Sequence, residues 1–180
     1  YTKDTGAYAA VSPYVYVDVQ SPMYVVSTAT VPNGIGGTLS TSYKYTGAKS
    51  HQKGGGFLGF RQFEVTDATG IKTLTTFRQD YPLQGLPATV TVTQAANQLK
   101  QITNTWADAT YLDTFLPITG NGSKHNFPYL SQSVVSSWDL NGVAFPVVTT
   151  ASAYDTTYGN ATTVTVSTPD GYSKSTVNTY

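Results

Sequence analysis

Residues 57–80 contain two stretches of strand character on either side of a tight turn. Phe57–Thr66 is rich in aromatic and β-branched residues, which suit a half-buried pleated surface. Asp67–Gly70 begins with aspartate and ends with glycine, the preference of a type I turn. Ile71–Asp80 then returns with isoleucine, threonine and phenylalanine at alternate positions. The segment therefore predicts an antiparallel hairpin.

Alternation within the first of these strands predicts how its side chains divide between two faces. One face takes Phe57, Gly59, Arg61, Phe63 and Val65, and the other takes Leu58, Phe60, Gln62 and Glu64. Because a side chain at the glycine would crowd the neighbouring strand, we expect Gly59→Val to destabilise the fold.

The same corner recurs at Asp139–Gly142 and Thr168–Gly171, and a glycine-rich turn lies at Pro32–Gly37. The spacing of these corners is irregular, so they do not define a strict repeat. No stretch has helical periodicity over three turns. The predicted strands are Val15–Val19, Tyr24–Val31, Thr38–Tyr45, Phe57–Thr66, Ile71–Asp80, Thr89–Thr93, Leu99–Trp106, Tyr129–Trp138, Val143–Ala153, Ala161–Ser167 and Tyr172–Tyr180. The predicted fold class is all-β, with antiparallel hairpins or a meander forming a curved sheet or a sandwich.

Turn residues cluster between Ala107 and Pro128, where the strand alternation breaks down. We therefore divide the chain into a β-hairpin domain at 1–106, an irregular loop or linker at 107–128, and β-hairpins at 129–180. The two hairpin regions are expected to pack in the same β-unit.

Composition excludes several classes of function. Charged residues are 11% of the chain and the formal net charge is zero, so no electrostatic footprint for nucleic acid or an anionic membrane surface is present. The absence of cysteine excludes disulfides, thiolate metal sites and cysteine nucleophiles. No apolar run approaches the roughly 18 residues needed to span a bilayer. The chain starts without methionine and stops within a predicted strand, and we expect it to be a piece of a larger protein.

The glycine-rich corner before the first hairpin belongs to a longer ordered pattern. Its parts are, in order, Tyr43–Tyr45, His51, Gly54–Phe60, Asp67–Gly70 and Arg78–Pro82. The order and spacing resemble a block of the SpvB-like and TcB-like proteins, in which a Y-x-Y strand and a histidine precede a G-R-G-F-L-G-F corner, a D-x-x-T-G turn and a Q-D-F-P segment. The chain departs from that pattern at Gly55, where arginine is usual, and at Tyr81, where phenylalanine is frequent.

A second segment, Tyr154–Asn160, is similar to one YD repeat, with Tyr-Asp, a short gap and Gly-Asn. Over roughly residues 24 to 180 the chain thus resembles segments of the SpvB/TcB-like (insecticidal toxin complex) and Rhs/YD-repeat bacterial proteins. In such proteins the strands form the wall of a hollow cocoon around a toxic C-terminal segment. The resemblance implies structural roles for Gly54, Gly55, Gly56, Gly59, Asp67, Gly70, Tyr154, Asp155 and Gly159.

The same resemblance implies a scaffold segment of a large secreted or cell-surface bacterial virulence protein, contributing to an encapsulating β-shell. Its expected partners are other segments of the same polypeptide and an encapsulated toxin segment, with no nucleic acid and no membrane insertion. The aspartate motif of Rhs self-cleavage has no counterpart here. We therefore expect no enzyme activity, no catalytic residue and no cofactor.

Three kinds of chemical site remain as alternatives. The glycine run at Gly54–Gly56 could bind phosphate, but it lacks the following lysine of a P-loop and leads into a strand. The only histidines, His51 and His125, have no close cluster of further metal ligands, so a metal site is not expected. Glu64 is the only glutamate and most aspartates lie at turns, which leaves a glycoside hydrolase as the weaker alternative.

A glycan-binding surface is the stronger alternative, because aromatic rings stack on the apolar faces of sugars. Trp106, Tyr111 and Trp138 are the candidate rings near the irregular loop. In that interpretation the chain is a surface adhesin-type module for a glycan or a host protein. The structural interpretation of the same residues is that aromatic side chains suit strand faces and cross-strand pairs.

Overall fold

The computed structural model describes residues 16–52, 54–112, 124–155 and 157–180. These residues form eleven β-strands and, within the described ranges, no helix. The strands are β1 (Tyr16–Asp18), β2 (Thr28–Pro32), β3 (Thr38–His51), β4 (Gly56–Thr66), β5 (Ile71–Phe77), β6 (Pro87–Gln94), β7 (Asn97–Leu112), β8 (Lys124–Ser137), β9 (Val148–Asp155), β10 (Asn160–Ser167) and β11 (Ser173–Val177). Nothing in these ranges is a helix long and apolar enough to cross a membrane.

All eleven strands belong to one open antiparallel sheet. Strands β3 to β11 follow one another as a meander, and β1 and β2 both pair with β3, at opposite ends of it. The predicted all-β class is confirmed, and each of the eleven predicted strands has a counterpart. The strand predictions rest on side-chain alternation and turn residues, which act locally along the chain, and this explains why they agree with the structure.

Part of the predicted irregular segment 107–128 is strand instead. Strand β7 continues to Leu112 and β8 begins at Lys124, with their backbones paired along the whole of this stretch. The described β8–β9 pairing starts only at Gln132, so Pro128 lies where β7 is the partner strand. A proline is tolerated in a strand where one side needs no hydrogen-bond donor. Residues 113–123, which include the predicted turn cluster, lie outside the described residues.

The two faces of the sheet differ in chemistry. Directly paired residues of an antiparallel sheet lie on the same face, so the register defines rows across the strands. One row consists of Tyr45, Phe63, Thr75, Val90, Ile102, Val135 and Val148 on β3 to β9. A row on the other side consists of Gln62, Thr76, Thr89, Thr103, Val134, Thr149, Ser167 and Ser173 on β4 to β11. We refer to these as the apolar face and the hydroxyl face.

Few side chains of the sheet are buried. The buried apolar side chains are Ala48, Leu58 and Leu83, and the buried polar ones are Lys49 and Gln79. All of them lie where β3 and β4 meet the loop between β5 and β6. Most of the apolar face is half-buried, because no second layer of strands packs on it among the described residues.

Candidate functional site

The glycine-rich corner joins β3 to β4 by a backbone that favours glycine at several positions. Gly54, Gly56 and Gly59 have φ of +97°, +64° and +83°, in the left-handed region. The Ser50 hydroxyl donates to the Gly56 carbonyl at 3.0 Å, which fastens the corner to the end of β3. The glycines lead directly into β4, so the corner has no helix N-terminus at which a phosphate would bind.

His51 packs against the backbone of the corner. The Gly55 N–H donates to His51 Nδ1 at 3.1 Å. A Cβ at Gly55 would lie 2.9 Å from His51 Cβ and Cγ, which is too close for any side chain. At Gly55 glycine is therefore required by crowding, and at its neighbours by backbone conformation.

The expected reason for glycine at position 59 is wrong. A Cβ at Gly59 would meet no atom within 4 Å, so the neighbouring strand does not crowd it. Its φ of +83° is nevertheless a strained conformation for any L-residue and is worst for a β-branched one. The Gly59→Val substitution is still expected to destabilise the fold, by about 2 kcal/mol of backbone strain.

A two-step comparison checks this reason. Urea unfolding of Gly59→Val and of Gly55→Ala measures the free energy of unfolding that each substitution costs. The same two substitutions are then measured in a chain that also carries His51→Ala. The alanine side chain introduced at position 55 would clash with His51. Removing the imidazole should therefore restore part of the stability lost in Gly55→Ala and none of that lost in Gly59→Val. Equal rescue at both positions would contradict a backbone cause at Gly59.

Gln79 connects the corner to the loop between β5 and β6. Its side chain is fully buried, and Nε2 donates to the Gly47 carbonyl at 2.7 Å and to the Gly59 carbonyl at 2.9 Å. One amide group thus joins β3 to β4 from a third segment. Its Oε1 has no hydrogen-bond partner among the described residues. Sequence reasoning singled out the segment Arg78–Pro82 and assigned no role to this glutamine.

Next to Gln79, Arg78 and Asp80 form a bidentate ion pair. The guanidinium Nε donates to Asp80 Oδ1 at 2.7 Å, and Nη2 donates to Oδ2 at 2.5 Å. The hydrogen bond from Arg78, helped by its charge, holds the pKa of the Asp80 carboxyl below its usual range, against the opposing effect of burial. The two charged residues of this pair flank Gln79 in the loop.

The recurring corners share one hydrogen-bond pattern. In Asp67–Gly70, Asp139–Gly142 and Thr168–Gly171 the first residue donates its N–H to the carbonyl four residues on, and its own carbonyl accepts from the glycine. All three glycines have positive φ. Asp67 Oδ1 accepts from the N–H groups of Thr69 and Ile71 at 2.8 and 3.0 Å, and Asp139 Oδ1 does the same at its own corner. The aspartates are therefore occupied in turn structure.

Hydrogen bonding to the carboxylates of Asp67, Asp80 and Asp170 makes stability depend on pH in the acid range. The Thr69 hydroxyl is the main cause of the lowered pKa of Asp67, and the Thr168 hydroxyl is the main cause for Asp170. A lowered folded-state pKa contributes stability that is complete above the unfolded value of about 3.9 and is lost as the pH falls through the folded value. We expect the unfolding temperature to decrease below about pH 4 for this reason.

Asp80→Asn tests this pH dependence, because it keeps the size of the side chain and removes the titration. The variant should be less stable at pH 7, where it lacks the ion pair with Arg78, and should lose less stability than the wild type between pH 5 and 2.5. Thermal unfolding followed by circular dichroism measures both curves. Parallel curves would show that Asp80 does not contribute.

The YD-like unit packs at the turn between β9 and β10. The Tyr154 ring lies 5.9 Å from the Phe127 ring and 5.0 Å from the Tyr129 ring, between centroids. Asp155 Oδ1 accepts the Thr157 N–H at 2.8 Å, and the Asp155 carbonyl accepts the Gly159 N–H at 2.8 Å. A Cβ at Gly159 would lie 3.1 Å from the Phe127 ring. The unit thus holds the end of β9 against the part of β8 with which it does not pair.

The three candidate glycan-binding aromatics are not brought together. The half-buried Trp106 donates its Nε1–H to the Pro87 carbonyl at 2.8 Å, which ties its ring to the sheet. Trp106 pairs with Leu130, and Trp138 follows the end of β8, eight residues beyond Leu130 and about 26 Å away for an extended chain. Tyr111 pairs with His125 through the backbone, and their side chains lie outside the described part of the structure. Glycan binding stays a prediction.

The groups of the other chemical alternatives are also dispersed. Glu64 forms an ion pair with Lys72 at 3.4 Å on the hydroxyl face. Among the described residues no three histidine, aspartate or glutamate side chains are close enough to hold a metal ion. The corner aspartates are spread along the sheet, each within its own turn.

Comparison with known proteins gives one family. Residues 11–89 match the family model described as the insecticide toxin TcdB middle/N-terminal region. The matched range includes the glycine-rich corner, the Asp67–Gly70 turn and Gln79, whereas the YD-like unit lies beyond it. No curated protein and no solved structure matches the chain. The match supports a toxin-complex-like family for this protein.

Proposed function

We propose that this chain is a scaffold segment of a toxin-complex-like protein and contributes to an encapsulating β-shell. The observation that carries the proposal is the contrast between the two faces of one open sheet. The apolar face has no covering layer of strands among the described residues, while the hydroxyl face is rich in threonine, serine and glutamine. An antiparallel sheet of this kind is suited to having one face packed and the other in water.

Exposed apolar side chains support the same interpretation. Seven large ones lie in residues 23–39 alone: Met23, Tyr24, Val25, Val26, Val31, Ile35 and Leu39. Exposed large apolar side chains in this number are characteristic of an interaction surface. Other segments of the same polypeptide would cover it, with an enclosed toxin segment as the further partner.

The edges of the sheet support continuation by further strands. β2 pairs with β3 on one side, and β11 pairs with β10 on one side, so each leaves a row of backbone groups without a partner strand among the described residues. An unpaired edge is an opening for another strand. Within a shell, neighbouring strands would occupy both edges and prevent aggregation.

The proposal assigns the chain a structural role, without a reaction and without a cofactor. It also assigns the parent protein to the secreted or cell-surface class. The low charge of the sheet suits a wall that holds an enclosed polypeptide without binding it tightly through ion pairs.

Low-resolution electron microscopy of the full-length protein that carries this chain tests the proposal. A hollow, closed particle is the expected result, since the sheet would be part of its wall. An extended rod or a beaded fibre would contradict the shell and would favour the adhesin-type alternative. In that case the aromatic side chains near β7 and β8 become the first positions to substitute.

A further inference from the structure

Residues 19–27 form a strap that is anchored to β3 at both ends. The Val19 N–H donates to the Ala48 carbonyl at 2.9 Å, and the Tyr43 N–H donates to the Ser27 carbonyl at 2.8 Å. The anchors are eight residues apart on the strap and five residues apart on β3. At about 3.3 Å per extended residue these separations are roughly 26 and 17 Å, so the strap has to bow away from the strand.

A cavity of about 430 Å³ lies between the bowed strap and the sheet. This volume is within the range of small-molecule sites and exceeds the needs of a single inserted side chain. Residues 19–25 line it from the strap, with Gln20 and Ser21 as polar members, and Tyr45, Ala48 and Phe60 line it from the sheet. None of the lining residues is charged.

The floor of the cavity is a cluster of aromatic rings. The Tyr45 ring lies 5.0 Å from Phe60 and 4.9 Å from Phe63, between centroids. Strict alternation would put these two phenylalanines on opposite faces of β4, yet both rings lie within about 5 Å of the same tyrosine. The arrangement offers ring faces and edges to a ligand, which suits an aromatic one.

We infer that the cavity under the strap is a binding site for an uncharged, mainly apolar small molecule that contains an aromatic ring. The neutral lining gives a charged group no partner and would impose its desolvation cost. The strap contributes Val19, Met23 and Val25 to one side of the cavity and the aromatic floor forms the other, so an apolar ligand would be contacted from two sides. This binding activity goes beyond the scaffold role.

N-phenyl-1-naphthylamine is a suitable probe, because it is uncharged and its fluorescence rises in apolar surroundings. Titration into the 180-residue chain should give saturable binding of one probe per chain. Val25→Asp and Met23→Asp should each weaken binding at least about tenfold, since they bring a carboxylate to the cavity wall. Both residues are already 45% and 44% exposed, so a carboxylate can be solvated if the fold is kept.

Val31→Asp and Leu39→Asp are the matched controls. These residues are 56% and 49% exposed, pair with each other on β2 and β3, and do not line the cavity. They should leave the dissociation constant within about twofold, and circular dichroism of every variant verifies the fold. Equal weakening by the two sets would overturn the site in favour of unspecific adsorption to the apolar face. Non-saturable binding by the wild type would overturn it as well.

A charged analogue of the probe tests the chemistry of the ligand. The compound 8-anilino-1-naphthalenesulfonate has the same anilinonaphthalene skeleton with an added sulfonate. It should compete with the uncharged probe at least about tenfold less effectively, because the lining contains no cation. Equal competition would refute the assignment to an uncharged ligand.

Discussion

Ile102→Lys is expected to destabilise the full-length protein severely and to have only a small effect on the 180-residue chain alone. Ile102 lies on the apolar face between Val90 and Val135. In the isolated chain it is half-buried, so the substitution costs the cross-strand contacts, about 1 kcal/mol. If another layer covers this face in the assembled protein, the lysine becomes a buried unpaired charge, which costs several kcal/mol.

Thr103→Lys is the control, because Thr103 is the next residue on β7 and is exposed on the hydroxyl face. It should change the free energy of unfolding by less than about 0.5 kcal/mol in both the full-length protein and the isolated chain. The measurement is the unfolding temperature of each variant in both contexts, with the yield of assembled particles. A full-length protein that tolerates both lysines equally would show that the apolar face is not covered.

The position of the strands was predictable because it depends on local chemistry. Each hairpin corner brings its own turn residues, such as Asp67 with Gly70, and the side-chain oxygen satisfies backbone N–H groups within four residues. Alternation also separates the apolar from the hydroxyl face. Alternation does not reveal what packs on a face, and so the open sheet could not be distinguished from a sandwich.

The strap illustrates where an apolar pattern misleads. Residues from Tyr24 onward have strand composition, yet β2 begins only at Thr28. Strand β1 pairs with residues 49–51 of β3, and β2 pairs with residues 38–42 of the same strand. The strap that connects β1 to β2 is longer than the stretch of β3 that lies between these two positions. The excess length is a property of the register, which a single sequence does not display. Pro128 shows the opposite error: it was interpreted as a residue that interrupts strands, whereas it lies within β8.

Gln79 shows why the corner itself was only partly predictable. A cluster of glycines in the sequence indicates an unusual backbone conformation. Of the four glycines predicted to form the corner, three have positive φ. The group that holds this backbone comes from 20 residues further along for Gly59 and 32 for Gly47. No periodicity connects a glutamine to carbonyl oxygens at such separations. Only the resemblance to an ordered family block indicated that its segment belongs with the corner.

Gln79→Ala is expected to reduce the free energy of unfolding by about 3 kcal/mol. The substitution leaves the Gly47 and Gly59 carbonyls without their donor, and an unsatisfied buried polar group costs about 1 to 3 kcal/mol. It also leaves a cavity, because Gln79 is the largest fully buried side chain of the described residues. For a chain of this size, 3 kcal/mol corresponds to about 6 to 12 °C in unfolding temperature.

Gln84→Ala provides the matched control, since Gln84 lies in the same loop and is exposed. It should change the free energy of unfolding by less than about 0.5 kcal/mol. Amide hydrogen exchange then separates a local from a global effect: the loss of Gln79 should release the amides of β3 and β4 near Gly47 and Gly59 and leave those of β9 to β11 protected. Each strand of a single-layer meander contacts only its immediate neighbours, so the Gln79 amide is expected to stabilise only the end of the sheet that contains β3 and β4. Uniform loss of protection in Gln79→Ala would contradict that local role and would indicate that the corner controls the folding of the whole sheet.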